Sequence, residues 1–298
     1  MRHDIEFKTG DGTLLRGWHY VPDGTKGRLP TVVMCHGFSA VKEMYLDRYA
    51  ELFEAAGLAA LVYDNRGFGA SDGTPRLEID PWQQVRDWRD ALTFAETLPA
   101  TDAARLGVWG SSYSGGHAIV VAALDRRVKC VVAQVPLIDG LETAQRLISP
   151  DKLPGIRAMF DADRRERYAG QPPAMMPVVA QDGPSALPTP DSWEWMTQTA
   201  RQRAPSWRNE VTLRTLEMLS EYAPGNYVAR VSPTPLLMLV AREDYLCLPD
   251  IQLAAYERAL QPKQLKIIDG KHFDAYTQGF ETSGPAARDW FVTHLLHA

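Results

Sequence analysis

Several features that would assign a chain to other classes of protein are missing from this 298-residue sequence. No apolar run reaches the ~18 residues that a membrane-spanning helix requires, and the charged N-terminal stretch MRHDIEFKTG lacks the apolar core of a signal peptide. Acidic residues outnumber basic ones, which gives a net charge of −5 and argues against a nucleic-acid surface. We therefore predict a cytoplasmic protein that binds neither membranes nor nucleic acid.

Cysteine is also scarce. The sequence has only Cys35, Cys130 and Cys247, an odd number with no CxxC spacing. Cys35 and Cys130 lie in apolar runs, and we interpret them as buried, small hydrophobic side chains in a reducing compartment. No set of histidines and cysteines has the spacing of zinc ligands, so we expect no metal site.

Short apolar runs alternate with stretches of helical spacing along most of the chain. After a predicted N-terminal hairpin, strands are expected at residues 30–35, 59–63, 105–109, 128–135, 235–240 and 264–268. The intervening helices are expected at residues 45–56, 81–98, 115–124, 249–260 and 286–296. Strands that alternate with helices in this way predict an α/β fold, with a mostly parallel sheet and helices on both faces.

This alternation is interrupted in residues 137–230. The segment contains helical patches at residues 192–203 and 209–220 and a proline-rich stretch, but no convincing buried strand. A loop of this length without a function is unusual. We therefore predict a core domain formed by residues 1–136 and 231–298, into which the intervening segment is inserted as a helical lid.

The stretch GVWGSSYSGG (residues 107–116) lies between a predicted strand and a predicted helix. A sharp strand-to-helix turn needs small residues around its apex, and a Gly-x-Ser-x-Gly pattern meets this need and exposes the serine hydroxyl. Ser112 and Ser114 both fit sterically. We favour Ser112, because the apex should follow closely on a strand that ends at Trp109. The alternatives are a glycine-rich helix start and a phosphate-binding loop, but neither phosphate-loop motif is present.

A nucleophilic serine at such a turn needs a base and an orienting acid, which occur in the chain order Ser, Asp/Glu, His. His272 comes just after the last predicted strand, where the base is expected. Asp244 follows the preceding strand and is our candidate for the acid, with Glu243 beside it as the alternative. Three other carboxylates stay open for this role: Asp250, Asp269 and Asp274.

These residues predict a serine acyl-enzyme mechanism. His272 would take the proton from Ser112, which would attack an acyl carbon, and Asp244 would hold the imidazole in the correct tautomer. The backbone N–H groups of Tyr113 and Phe38 would bind the developing oxyanion.

Four stretches together resemble the α/β-hydrolases along nearly the whole chain. They are CHGF (residues 35–38), YDNRGFGASDG (63–73), GSSYSGG (110–116) and the late Asp244 with GKHF (270–273). The resemblance implies a serine acyl-enzyme that uses no metal and no cofactor.

The Ser-Tyr pair at the turn is more narrowly similar to the cocaine-esterase and X-prolyl dipeptidyl-peptidase group. Residues 77–99 and HFDAY (272–276) also resemble small stand-alone esterases and polyketide acyltransferases. Two positions depart from the pattern. Ser114 stands where glycine is usual, and Leu248 precedes Pro249, where many relatives have proline one residue earlier.

The inserted segment carries aromatic and methionine side chains that suit an apolar pocket for an acyl chain or ring. The candidates for substrate binding are Met159, Met175, Met176, Trp193, Trp195 and Trp207. The alternative is that they only pack the lid on the sheet. The segment also carries arginines that form either a solvated face or a docking patch for an acidic carrier protein: Arg157, Arg164, Arg165, Arg167, Arg201, Arg203 and Arg208.

We therefore predict an enzyme that cleaves a carboxylic ester or thioester of a small, largely apolar acyl substrate. An acyltransferase with an alcohol or amine acceptor is the first alternative, because the same triad serves both reactions. A lactonase or amidase, and a non-catalytic binding protein on the same scaffold, are further alternatives. A homodimer also stays open.

Overall fold

A computed structural model describes residues 1–297, whose strands form an eight-stranded sheet and a two-stranded ribbon. The strands are β1 (Arg2–Lys8), β2 (Leu14–Tyr20), β3 (Leu29–Cys35), β4 (Ala59–Tyr63), β5 (Thr101–Ser111), β6 (Val128–Gln134), β7 (Met175–Met176), β8 (Val211–Thr212), β9 (Leu236–Ala241) and β10 (Lys263–Ile268). The ribbon pairs β7 with β8, and the sheet has the order β1-β2-β4-β3-β5-β6-β9-β10. In the sheet, β1 pairs antiparallel with β2, and β2 pairs antiparallel with β4. Each of the other neighbouring pairs, from β4–β3 to β9–β10, is parallel.

Helices cover both faces of this sheet. The α-helices are α1 (Leu46–Ala55), α2 (Pro81–Thr97), α3 (Tyr113–Leu124), α4 (Gly140–Leu147), α5 (Leu153–Tyr168), α6 (Pro190–Gln202), α7 (Leu213–Ser220), α8 (Pro249–Arg258) and α9 (Phe280–Phe291). Short 3₁₀ or π turns lie at Pro150–Lys152, Pro224–Arg230, His272–Tyr276 and Val292–Leu296. Helices α1 and α9 pack together on one face, and α2 and α3 pack together on the other. The predicted α/β class with a mostly parallel sheet is confirmed.

The sequence of each strand matches its position in the sheet. All residues of β4 (AALVY) and β9 (LLMLVA) are buried. Such runs have no polar face for solvent, so both faces of these strands must be covered by helices. The edge strand β10 instead alternates half-buried and exposed residues until its last position.

Two expectations about secondary structure are corrected. Strand β5 begins at Thr101 rather than residue 105, because Thr101 pairs with Leu29 across an irregularity in the β3–β5 ladder. Residues 211 and 212 form β8, a buried strand inside the predicted helical patch at 209–220, and α7 begins only at Leu213. A strand of two residues is too short to produce a detectable periodicity.

Residues 137–230, the inserted segment, contain α4 to α7 and the ribbon. A buried contact fastens this segment to the core: the Tyr222 hydroxyl lies 2.8 Å from Nδ1 of His117 on α3, and His117 Nε2 lies 3.0 Å from Oε1 of Gln84 on α2. Burial lowers the pKa of His117 to about 3, so the ring is neutral. It donates to the Gln84 oxygen and accepts from the Tyr222 hydroxyl. The division of the chain at residues 136 and 231 stays a prediction.

Within residues 1–297, every helix is too short or too polar to cross a bilayer.

The loop after β4 is held by a buried ion pair. Arg66 binds Asp87 of α2 through two hydrogen bonds of 2.7 Å, and it reaches Asp11 in the β1–β2 turn at 2.8 Å. The Asp87 side chain is fully buried. One guanidinium therefore joins the hairpin, the loop and α2.

Replacement of Asp87 by asparagine should lower the free energy of unfolding by roughly 3 kcal/mol, because it removes the fully buried one of the two carboxylates that Arg66 binds and leaves only the exposed Asp11. The matched control is Asp269→Asn, since Asp269 pairs with Arg242 at the surface. Its effect is expected to stay below about 1 kcal/mol. Urea denaturation of both variants measures the difference, and equal losses would contradict this role of the buried pair.

Candidate active site

Four loops at the carboxyl edge of the sheet bring the candidate residues together. Gly37 and Phe38 follow β3, Ser112 follows β5, Asp244 follows β9 and His272 follows β10. Because parallel strands all end at this edge, residues that are far apart in the sequence meet there.

Ser112 lies at the apex of a sharp turn between β5 and α3, with φ 61° and ψ −121°. A positive φ is uncommon for serine, and such strain is typical of functional sites. Glycine is required before the apex, because a Cβ on Gly110 would lie 2.0 Å from the Ser114 carbonyl oxygen. It is also required after the apex, because a Cβ on Gly115 would lie 2.8 Å from the Gln134 carbonyl oxygen. The sequence thus provides the space that the turn needs.

A continuous chain of hydrogen bonds joins the three candidate side chains. His272 Nε2 lies 2.9 Å from Ser112 Oγ, and His272 Nδ1 lies 2.7 Å from Asp244 Oδ2. A carboxylate only accepts, so Nδ1 carries the proton and donates it to Asp244. Nε2 is then free to accept from the Ser112 hydroxyl. The side chains of His272 and Asp244 are almost fully buried, whereas Ser112 is 9% exposed to solvent.

The second oxygen of Asp244 is used as well. Oδ1 accepts the backbone N–H groups of Leu246 and Cys247 at 2.8 and 2.7 Å. Both carboxylate oxygens therefore have partners, and the plane of the carboxylate is fixed relative to the imidazole.

The four alternative carboxylates have other environments, and none is hydrogen-bonded to His272 in the described part of the chain. Glu243 is exposed, Asp250 pairs with Arg146, Asp269 pairs with Arg242, and Asp274 accepts from the backbone N–H of Lys271. Asp244 is thus the carboxylate that the fold brings to the histidine.

Ser114, the alternative serine, is fully buried and does not face His272. Its hydroxyl donates to the carbonyl oxygen of His36, in the loop after β3. Of the two serines in the motif, Ser112 is the one within hydrogen-bonding distance of the imidazole.

The backbone N–H groups of Phe38 and Tyr113 are both free of acceptors among residues 1–297. The loop that carries Phe38 is pressed against the turn, since a Cβ on Gly37 would lie 2.9 Å from Ser112 Cβ. The rings of Phe38 and Tyr113 meet edge to face at 5.7 Å. These two N–H groups, on segments that adjoin Ser112, are therefore candidates for binding an oxyanion.

A buried polar network contacts the turn that carries His272. It was not predicted from the sequence. The Tyr276 hydroxyl donates to Ser111 Oγ at 2.6 Å, and Gln134 Nε2 donates to the same oxygen at 3.1 Å. Tyr49 approaches Gln134 Oε1 through its hydroxyl at 2.9 Å. Burial raises the pKa of both tyrosines, so they remain neutral. The network fixes the turn His272–Tyr276 to β5, β6 and α1.

Cys247, which the sequence left without a role, lies beside the candidate nucleophile. Burial raises the pKa of its thiol well above the usual value, the Asp244 carboxylate adds to this, and the Ser112 hydroxyl opposes it. The thiol is therefore protonated at neutral pH and is no rival nucleophile.

The predicted pocket residues lie in different environments. Trp195 stacks on Phe273, the neighbour of His272, with ring centroids 4.6 Å apart and an interplanar angle of 18°. Among the other five, Trp207 is buried, Trp193 and Met176 are half-buried, and Met159 and Met175 are exposed by 44% and 45%. The structure thus brings Trp195 to the site, and a pocket role for the others stays a prediction.

Several arginines of the inserted segment are paired with carboxylates of this chain. Arg164 and Arg167 bind Glu217, and Arg203 binds Asp47 at 2.5 Å. Docking of an acidic carrier protein on this segment stays a prediction.

Residues 11–274 match the X-Pro dipeptidyl-peptidase (S15) family. The chain belongs to this family. Over 279 residues, this chain is 35% identical to a thiohydrolase from Eupenicillium brefeldianum. The match covers 92% of this chain and 88% of the relative. The chain is 34% identical over 276 residues to the polyketide transferase GrgF from Penicillium sp., with 92% and 90% covered.

A solved structure of a relative supports the α/β-hydrolase fold of this chain. The crystal structure of the α/β hydrolase GrgF from Penicillium sp. sh18 is similar to the S15-family chain with a TM-score of 0.87 at 31% identity, and 99% of each chain is covered. The predicted α/β-hydrolase fold is confirmed. The predicted enzyme class, a hydrolase that acts on ester or thioester bonds, is confirmed as well.

Substitution of Gly110 by alanine should prevent formation of the turn, because the new Cβ would lie 2.0 Å from the Ser114 carbonyl oxygen. We expect loss of activity together with a lower thermal unfolding midpoint. Gly155→Ala is the matched control, since a Cβ at that helical position meets no atom within 4 Å. Alanine there should be neutral or stabilise the protein by about 0.5–1 kcal/mol. Unchanged activity in Gly110→Ala would show that the turn tolerates a side chain before its apex.

Proposed function

We propose that the protein cleaves thioesters or esters of small, largely apolar acyl groups through an acyl-enzyme on Ser112. The observation that carries the proposal is the unbroken chain from Asp244 through His272 to Ser112, with bonds of 2.7 and 2.9 Å. Geometry of this kind is the main criterion for a nucleophile and its base.

In the first step His272 Nε2 takes the Ser112 proton as Oγ attacks the acyl carbon. The carbonyl oxygen becomes an oxyanion and binds the N–H groups of Phe38 and Tyr113. The tetrahedral intermediate then collapses, and His272 returns the proton to the leaving thiol or alcohol. The acyl group is now an ester of Ser112.

In the second step a water molecule attacks this ester, with His272 taking one proton of the water. Collapse of the second intermediate returns the proton to Ser112 Oγ and releases a carboxylic acid. Asp244 stabilises the imidazolium that forms in both steps. Since both its oxygens are already held, the carboxylate needs no rearrangement during the reaction.

Thioester cleavage by this chain is supported by the relative named thiohydrolase, which is 35% identical over 92% of the chain. An apolar acyl group is supported by the rings around the site. Phe38 and Tyr113 flank the serine, and Trp195 and Phe273 stack beside the histidine. Apolar walls with few polar groups are typical of small-molecule sites.

Acyl transfer to an alcohol or amine is the second candidate function. The relative GrgF is named a polyketide transferase. The two functions share the acylation step and differ only in what attacks the acyl-Ser112 ester.

Ser112→Ala should lower kcat on acyl-N-acetylcysteamine thioesters by at least about 10⁴-fold, because the nucleophile is removed. The measurement is release of the free thiol, with urea denaturation as the control for folding. A fluorophosphonate should label the wild-type protein at Ser112, as located by peptide mass spectrometry. Retention of turnover in the variant would show that Ser112 is not the nucleophile.

A second measurement distinguishes hydrolysis from acyl transfer. The reaction is run with an added alcohol or amine, and chromatography shows whether the product is the free acid or an ester or amide.

Asp244→Asn should lower kcat by about 10⁴-fold, because an amide in place of the carboxylate favours the wrong imidazole tautomer. Glu243→Gln is the matched control on the adjacent residue, and its activity should remain within about twofold of wild type, since Glu243 is exposed. The same thioester assay measures both variants. The reverse result would reassign the acid to Glu243.

A further inference from the structure

The Ser114 hydroxyl has a partner that its place in the motif does not suggest. Glycine is usual at this position of the turn, yet here a fully buried serine donates to the His36 carbonyl oxygen. Ser114 follows Tyr113 directly, and His36 lies two residues before Phe38. One hydrogen bond therefore connects the segments that carry the two free N–H groups.

The loop after β3 is also tied to the loop after β4. His36 Nε2 accepts the backbone N–H of Asn65 at 3.0 Å, and Asn65 Nδ2 donates to the His36 carbonyl oxygen at 3.3 Å. His36 Nδ1 donates to the Gly37 carbonyl oxygen at 3.0 Å. Burial lowers the pKa of His36, so the ring is neutral and can act as both donor and acceptor. These contacts hold the loop to the loop after β4. On the other side, the β3–β5 ladder ends at the pair of Cys35 with Gly110, and the Ser114 hydroxyl adds a hydrogen bond between the loop and the turn beyond that end.

The distance between the loop and the turn matters because the two segments are in close contact. A Cβ on Gly37 would lie 2.9 Å from both the Ser111 carbonyl oxygen and Ser112 Cβ. Two donors that share one oxyanion must each lie about 2.7–3.1 Å from it, so a small shift of either segment weakens both hydrogen bonds.

We propose that Ser114 is a positioning residue, whose hydroxyl fixes the Phe38 N–H relative to the Tyr113 N–H. The inference rests on the proposed function, since it assumes that these two groups bind the oxyanion. Ser114 contacts neither His272 nor the reacting atoms. Its removal should therefore weaken stabilisation of the transition state and leave nucleophile and base in place.

The test uses a pair of aryl esters that differ only in the acyl carbon's double bond, C=O in one and C=S in the other. Sulfur is larger than oxygen and a weaker hydrogen-bond acceptor, so an intact oxyanion site favours the oxo ester. In Ser114→Ala we expect kcat on the oxo ester to fall about tenfold, less than the 10²–10³-fold cost of deleting a donor outright. KM should change little, and the oxo-to-thiono ratio of kcat/KM should shrink several-fold.

Thr31→Val is the matched control. Thr31 lies on β3, about 16 Å along the strand from His36, and its buried hydroxyl donates to Thr101 Oγ1 at 3.0 Å. This variant removes a buried hydroxyl hydrogen bond that joins β3 to β5 away from the site, so it tests whether a general loosening of β3 changes the ratio. We expect the wild-type ratio. Ser114→Gly serves as a second variant without the hydroxyl, and it should match Ser114→Ala.

An unchanged ratio in both Ser114 variants would overturn the inference, as would an equal change in Thr31→Val. These outcomes are distinct from failure of the proposed function. If Ser112→Ala retains turnover, the acyl-enzyme itself is refuted. If Ser112→Ala is inactive and the ratio is unaffected by Ser114, only the positioning role is refuted.

Discussion

The strained backbone at Ser112 is the constraint on which the rest of the site depends. A positive φ turns the chain from β5 into α3 within one residue and raises the hydroxyl above the end of the sheet. Neighbouring groups maintain this conformation. The Ser112 N–H donates to Gln134, and its carbonyl oxygen accepts the N–H groups of Gly115 and Leu137 at 2.9 Å. Leu137 is the first residue of the predicted inserted segment, so this hydrogen bond joins the start of that segment to the turn of the candidate nucleophile.

The candidate base is held by different means. His272 lies on a 3₁₀ turn rather than in the sheet, so backbone pairing alone does not fix it. Its position depends on buried polar side chains, with Tyr276 bound to Ser111 and Tyr49 bound to the Ala275 carbonyl oxygen at 2.6 Å. A buried network of this kind is stable only when its members are satisfied, and it then defines one arrangement.

Features that depend on the order of the strands are predictable from this sequence, whereas features that depend on side-chain packing are not. Ser112, Asp244 and His272 are identifiable as candidates because each follows a predicted strand within a few residues, and parallel strands end at one edge of the sheet. Ser114 is only a departure from the motif at the level of sequence, because its partner His36 lies 78 residues away. Composition cannot distinguish the pocket candidates Trp195 and Met159. Only the packing of the inserted helices places the first beside the site and leaves the second largely in solvent.

The attachment of α6 has a consequence for how this enzyme can diverge. Trp195 on that helix rests against Phe273, which adjoins His272 in the chain. At the end of the helix, Arg203 binds Asp47 and so holds α6 to the start of α1. The helix that carries the pocket candidate Trp195 thus also packs against the residue next to His272. A mutation of α6 that displaces Trp195 will also disturb the packing of Phe273 beside the imidazole, so this helix and the turn that carries His272 are expected to evolve together rather than independently.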